Sequence, residues 1–147
     1  MKNRVRLLPV PFSHPPRVLV IDDSAIVRHC FKICLQQIGA VVTCLGEAPR
    51  TELDVLLTSP RMDHPDIIFV DLILPEIDGF TLIRLLKQSP RFKQVPLIVL
   101  SRRNGMRDRL FARLAGAQAY VVKPITQEHI LALVRRYLPT DHDAWLR

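Results

Sequence analysis

Cysteine, glycine and aromatic side chains are all scarce in this chain of 147 residues, and each scarcity closes off a class of protein. Three cysteines, Cys30, Cys34 and Cys44, form no even set and show no CxxC spacing, so neither a disulfide scaffold nor a thiolate zinc site is expected. The five histidines are scattered without ligand spacing, which argues against an imidazole-held metal. Among the five glycines there is no glycine-rich turn after the first strand, so a nucleotide-binding loop is not expected. No apolar run approaches membrane-spanning length. The basic start at Lys2, Arg4 and Arg6 leads only into a short apolar stretch broken by Pro9 and Pro11, a poor secretory signal. A cytoplasmic protein with reduced thiols is the expectation.

What is present is aliphatic. Hydrophobic residues make up 48% of the chain, enough for one domain with a proper core. The formal net charge of +7 is unevenly spread: residues 1–17 hold Lys2, Arg4, Arg6 and Arg17 and no acid. Residues 1–16, with Pro9, Pro11, Pro15 and Pro16, are expected to form a flexible basic arm, residues 17–138 the folded domain, and residues 139–147 a loose tail in which Trp145 offers a docking point. The balance permits an acidic protein partner or nucleic acid without demonstrating either.

Five short apolar runs alternate with five helical patterns. Arg17 to Ile21, Val41 to Leu45, Ile67 to Val70, Val95 to Leu100 and Ala119 to Val122 read as strands; the third, with four apolar residues in succession, suits a strand buried on both faces. Val27, Cys30, Phe31, Cys34, Leu35 and Ile38 fall at helical spacing, placing Cys30 and Cys34 on a buried stripe, with Ser24 as cap and Gly39 as stop. A weaker helix starts near Pro49. Asp78 caps a helix beginning at Phe80 and running through Leu82, Ile83, Leu85 and Leu86 to Ser89–Pro90. Asn104 or Gly105 opens another through Met106, Leu110, Phe111 and Leu114, closed by Gly116. Thr126 caps the last, through Ile130, Leu133, Val134 and Leu138. Alternation of this kind predicts a single doubly wound (βα)5 parallel sheet. The Ser59–Asp66 loop is longer than most in such units.

In open α/β sheets the ligand crevice lies at the carboxyl ends of the strands. Asp22 and Asp23 follow the first strand, Asp71 the third, Ser101 the fourth and Lys123 the fifth. Three carboxylates brought together repel one another unless a cation intervenes. Hard oxygen ligands with room for water suit Mg²⁺ better than zinc. A carboxylate beside such an ion is a plausible nucleophile toward a phosphoryl group, with the Lys123 ammonium and the Ser101 hydroxyl sharing charge on the transferred oxygens. Taken singly, an Asp-Asp pair is usually solvated, a strand-end serine usually caps and a Lys-Pro is usually a turn; together, at four strand ends, they specify a site.

Val18-Leu-Val-Ile-Asp22-Asp23-Ser24, Phe69-Val-Asp71-Leu-Ile-Leu-Pro75 with Asp78-Gly79, Ile98-Val-Leu-Ser101, Gly116-Ala117 and Tyr120-Val-Val-Lys123-Pro124 make residues 17–138 resemble the bacterial response-regulator receiver domains, of which CheY is the stand-alone example. The strand order 2-1-3-4-5 is carried over from that resemblance and from the flavodoxin-like class of sheets. Within the family, Asp71-Leu-Ile-Leu-Pro75 and Ser101-Arg-Arg-Asn-Gly105 look most like the PilG-type receivers of type IV pilus (twitching) chemosensory systems. The resemblance implies that Asp71 accepts a phosphoryl group from a phosphohistidine of a histidine kinase, and that Asp22, Asp23, Asp71 and the backbone carbonyl of Ile73 hold Mg²⁺. Lys123 would contact the phosphoryl group, with a cis bond to Pro124. Ser101 would move toward it and let Tyr120 turn inward, changing the surface of the fourth helix, fifth strand and fifth helix for a downstream protein. Such a domain is not an enzyme beyond its own phosphorylation and dephosphorylation. A monomer or weak dimer without membrane insertion is expected.

Two departures from the family stand out. Arg102 and Arg103 follow Ser101 where a small residue is usual; they could attract phosphate, hinder the attacking water or simply face solvent. With the apolar Ile73 they suggest a slowly hydrolysing acyl phosphate. The long loop is the other departure. Three competing readings are weaker: a fold that serves only as an interaction module, a Mg²⁺ phosphohydrolase (which would want a second acid at Ile73), and nucleic-acid binding through Arg102, Arg103, Arg107, Arg109 and Arg113. A basic face built around Arg107, Arg109 and Tyr120 for an acidic protein partner is preferred over nucleic acid.

Overall fold

Each apolar run of the sequence becomes a strand of one sheet in the computed structural model, which describes residues 12, 14–46, 49–59 and 64–138. The strands are β1 (Arg17–Ile21), β2 (Val41–Leu45), β3 (Ile67–Asp71), β4 (Leu97–Ser101) and β5 (Ala119–Val122). They alternate with α1 (Ala25–Gln36), α2 (Pro49–Thr58), α3 (Gly79–Gln88), α4 (Met106–Ala115) and α5 (Gln127–Tyr137). All pairings are parallel and the order is β2-β1-β3-β4-β5. The five-residue strands β3 and β4 are buried at every position, as strands covered on both faces must be.

Alternate side chains of each strand go to opposite layers. Val18, Val20, Ile67, Phe69, Ile98 and Leu100 pack with Phe31, Cys34, Leu35, Ile130 and Val134 of α1 and α5. Leu19, Ile21, Ile68, Val70, Leu97 and Val99 pack on the other side with Leu53, Leu56, Leu82, Ile83, Leu86 and Ala112 of α2, α3 and α4. Phe31 and Phe69 meet with ring centroids 4.8 Å apart, and burying either ring contributes about 1.5–3 kcal/mol. Phe12, ahead of β1, packs partly against the α1/α5 layer.

The caps follow the sequence: the side chains of Ser24, Asp78 and Thr126 accept from the amides of Val27, Thr81 and His129. One expectation, the burial of Cys30, needs correction, and the helices differ in which of their apolar residues they bury. Cys30 is exposed: it lies about 100° around the helix from Phe31, just past the edge of the arc that Phe31, Cys34 and Leu35 bury. Leu85 of α3 is likewise exposed. In α4 the buried residue is Ala112, while Met106, Leu110, Phe111 and Leu114 all face outward. The side that α4 turns to the core carries one small buried residue, Ala112, and its large side chains stay outside. Residues 60–63 of the long loop, most of the N-terminal arm and residues 139–147 lie outside the described residues.

Candidate functional site

The sheet order sets β1 beside β3, and their carboxyl ends deliver Asp22 and Asp71 to one place. Asp71 pairs in register with Leu100, so Ser101 stands one residue beyond it on β4; Val122 pairs with Ser101, so Lys123 emerges one residue beyond that on β5. The Lys123 amide donates to the Ser101 carbonyl at 2.8 Å, tying the ends of β4 and β5 together. The Lys123–Pro124 peptide bond is cis.

Lys123 Nζ lies 2.7 Å from Asp22 Oδ2 and 2.9 Å from Asp71 Oδ2, bridging two buried carboxylates. The other oxygen of each acid is held by a backbone amide two residues on: Ser24 N donates to Asp22 Oδ1 at 2.9 Å, and Ile73 N to Asp71 Oδ1 at 3.0 Å. Asp23 is exposed at the rim. Each of the three aspartates offers one oxygen, and those oxygens lie within 4.8 Å of one another. Asp22 Oδ2, although in contact with the ammonium, has no donor aligned on it among the described residues. A buried oxygen with spare lone pairs, in a set of hard carboxylate donors, fits a divalent cation of the Mg²⁺ kind.

Charge and burial compete here. Burial pushes the Asp22 carboxyl up, against the lowering effect of Lys123 and the Ser24 amide, and the neighbouring Asp71 charge adds to the rise. For Lys123, burial alone would lower the ammonium's pKa, but the two carboxylates outweigh it and the net direction is upward. The amine is therefore held as a cation at the centre of the pocket.

Above these groups opens a cleft of about 280 Å³ lined by Asp23, Ser24, Asp71, Ile73, Arg102 and Lys123, while Asp22 and Ser101 are fully buried. Arg102 thus stands at the mouth, whereas the guanidinium of Arg103 turns to Asp108 at 3.5 Å. Tyr120 is half-buried against the α2, α3 and α4 layer; its hydroxyl donates to the Arg103 carbonyl at 2.7 Å, and the Arg109 guanidinium lies 5.0 Å from its ring centroid. The Arg103 amide in turn donates to Ser101 Oγ at 3.1 Å. Arg107 is separate from this group, 5.9 Å from the ring centroid of Phe111.

Two glycines let the backbone close around the pocket; from sequence, Gly79 stands in the matching motif without that role, and Gly46 has no role at the site. A Cβ on Gly46, whose φ is +147°, would stand 2.0 Å from the Asp22 carbonyl oxygen. One on Gly79 would stand 2.4 Å from Leu72 Cα. A glycine directly after a strand run, and one opening a helix beside the strand that carries Asp71, were the available signals.

Sheet order, strand-end acids and bridging lysine together define a CheY-like α/β domain. The chain belongs to the response regulator receiver domain family, which residues 18–135 match. Receiver domains are regulatory phosphoacceptor domains of two-component systems rather than conventional enzymes. The chain is similar to PilG of Pseudomonas aeruginosa, with 32% identity over 125 residues that cover 84% of this chain and 88% of that protein. It is 39% identical over 117 residues to the virulence transcriptional regulatory protein PhoP of Salmonella typhimurium, a match that takes in 79% of this chain and 49% of PhoP. The chain thus spans about half the length of that relative. Among solved structures, the chemotaxis response regulator CheY4 of Vibrio cholerae superposes with a TM-score of 0.72 and 22% identity, covering 85% of this chain and 100% of that one. Among the described residues no helix is long and apolar enough to cross a membrane.

Proposed function

We propose that Asp71 is the phosphoacceptor of a two-component pathway, taking its phosphoryl group from a phosphohistidine of a histidine kinase. The observation that carries this is the lysine bridge: one ammonium within 2.9 Å of both buried strand-end carboxylates, beside an open cleft. An Asp71 carboxylate oxygen attacks phosphorus, the P–N bond to the kinase imidazole breaks, and its electron pair returns to that ring. Asp22, Asp23, Asp71 and the Ile73 carbonyl would hold Mg²⁺, which when bound supplies neutralisation of the charge on the transferred oxygens. Lys123 keeps its place as the second countercharge. The Ser101 hydroxyl, whose oxygen already accepts from Arg103 N, still has its proton to donate toward a phosphoryl oxygen.

Movement of Ser101 with inward rotation of Tyr120 would remodel the α4-β5-α5 surface, where Arg109 and Tyr120 meet, for a downstream protein in the cytoplasm. The similarity to PilG supports a place in type IV pilus motility. Arg102 at the mouth and the exposed Ile73 support slow hydrolysis of the acyl phosphate.

Incubation with acetyl phosphate and Mg²⁺, read by intact mass, is expected to add one phosphoryl group to the chain. Asp71→Asn should abolish it, and a chelator should slow it by at least about tenfold. Uptake that survives in Asp71→Asn, or no uptake together with no spectral response to BeF₃⁻, would leave a phosphorylation-independent interaction module.

A further inference from the structure

On the side of α4 away from Tyr120, between α3 and α4, lies a groove of about 340 Å³ lined by Phe80, Arg84, Phe111, Leu114 and Ala115. Phe80 and Phe111 meet there edge to face, centroids 6.1 Å apart and planes at 83°. The groove continues onto an apolar surface. Phe111, Leu114, Leu110 and Met106 follow one another around the helix as one stripe, and they are 46%, 73%, 55% and 87% exposed. Four large apolar side chains on a single ten-residue helix, with an alanine as its buried residue, mark a surface built for contact.

Charge says what kind of contact. Arg84 lines the groove and Arg107 lies over the Phe111 ring. Neither pairs with a carboxylate among the described residues; Arg84 reaches only the Phe80 carbonyl, at 3.4 Å. Guanidinium groups interleaved with exposed phenylalanine and leucine complement carboxylates and apolar anchors on one ligand. A second copy of the chain fits poorly, because it carries a net charge of +7 itself. Duplex nucleic acid would satisfy the arginines and leave the apolar stripe in water. A lipid surface would meet the stripe but not enter a concave slot.

We propose that the α3–α4 groove receives an acidic amphipathic helix of a partner protein, one large apolar side chain seating against Phe80 and Phe111 while its carboxylates pair with Arg84 and Arg107. The inference rests on reading the chain as a signalling module that acts through protein contact, and not on phosphoryl transfer. It places part of the footprint on α3, outside the α4-β5-α5 surface.

The test uses the full chain and a synthetic helical peptide with glutamates on one face and leucine and tryptophan on the other. Fluorescence anisotropy should show saturable binding, and amide NMR shifts should centre on Phe80, Phe111 and Leu114. Leu114→Ser and Arg84→Glu should each weaken binding about tenfold while phosphoryl uptake from acetyl phosphate is unchanged. A peptide with lysines in place of the glutamates should not bind. The proposal is overturned by absence of binding, by shifts centred on Tyr120 and α5, by tighter binding of duplex DNA or anionic vesicles than of the peptide, or by self-association that Leu114→Ser abolishes. Peptide binding without phosphoryl uptake would instead refute the Asp71 reading and leave the groove standing.

Discussion

α3 and α4 are neighbours of equal length on the same face of the sheet, and their sequences carry apolar residues at similar helical spacing. They use that spacing in opposite directions. α3 buries Leu82, Ile83 and Leu86 and is capped by the Asp78 side chain; α4 buries Ala112, turns its large residues to solvent, and starts at Gly105 without a side-chain cap. A periodic stripe establishes that a helix exists, but the stripe faces the core only where the facing surface has room for it. α3 is a structural helix of the core; α4 is a lightly anchored helix whose stripe is left for something else.

The contrast can be broken most severely at Gly79. An added Cβ would collide with Leu72 Cα at 2.4 Å, so Gly79→Ala should cost about 3 kcal/mol or more in a denaturant titration and disturb the strand end that presents Asp71. Leu86→Ala in α3 should cost about 2–5 kcal/mol, against a change within about 0.5 kcal/mol for Leu114→Ala in α4. Equal losses at the two leucines would mean that α4 is part of the core after all. The smallest effect concerns Lys87, whose stem runs beside Gly116 at the end of α4 and whose Nζ donates to the Val95 carbonyl at 2.6 Å. Burial lowers its pKa below the usual 10.5, so the folded chain releases that proton before the unfolded chain does. The stability attached to this group is complete above pH 10.5 and is lost as pH falls through the lowered folded value. Wild type should therefore gain on Lys87→Met as pH rises through that window, measured by paired thermal melts; a constant difference would show that the amine is solvated.

Much of this arrangement was legible in the chain. The strands of a doubly wound sheet are short apolar runs, and the residue after each run falls at the crevice by geometry alone, so Asp22, Asp71, Ser101 and Lys123 declared themselves together. Direction was not legible: the 3.6-residue period cannot say that Cys30 sits just off the buried arc, nor that Leu110 and Leu114 look outward. Glycines 46 and 79 were visible as letters, but their role depends on which backbone passes over them. Contacts made by main-chain groups leave no trace in composition, since every residue but proline carries the same donor and acceptor.

One of those main-chain contacts has a mechanical consequence. A single residue, Arg103, offers its amide to Ser101 Oγ and its carbonyl to the Tyr120 hydroxyl. A buried serine and a half-buried tyrosine are thereby hitched to opposite ends of one backbone unit, and a pull on the first must loosen or drag the second. Such a linkage is indifferent to the guanidinium hanging from it. Arg103→Ala should leave the hitch intact, whereas Arg103→Pro, lacking the amide hydrogen, should uncouple the tyrosine ring from whatever happens to the serine, as NMR of the Tyr120 ring would register.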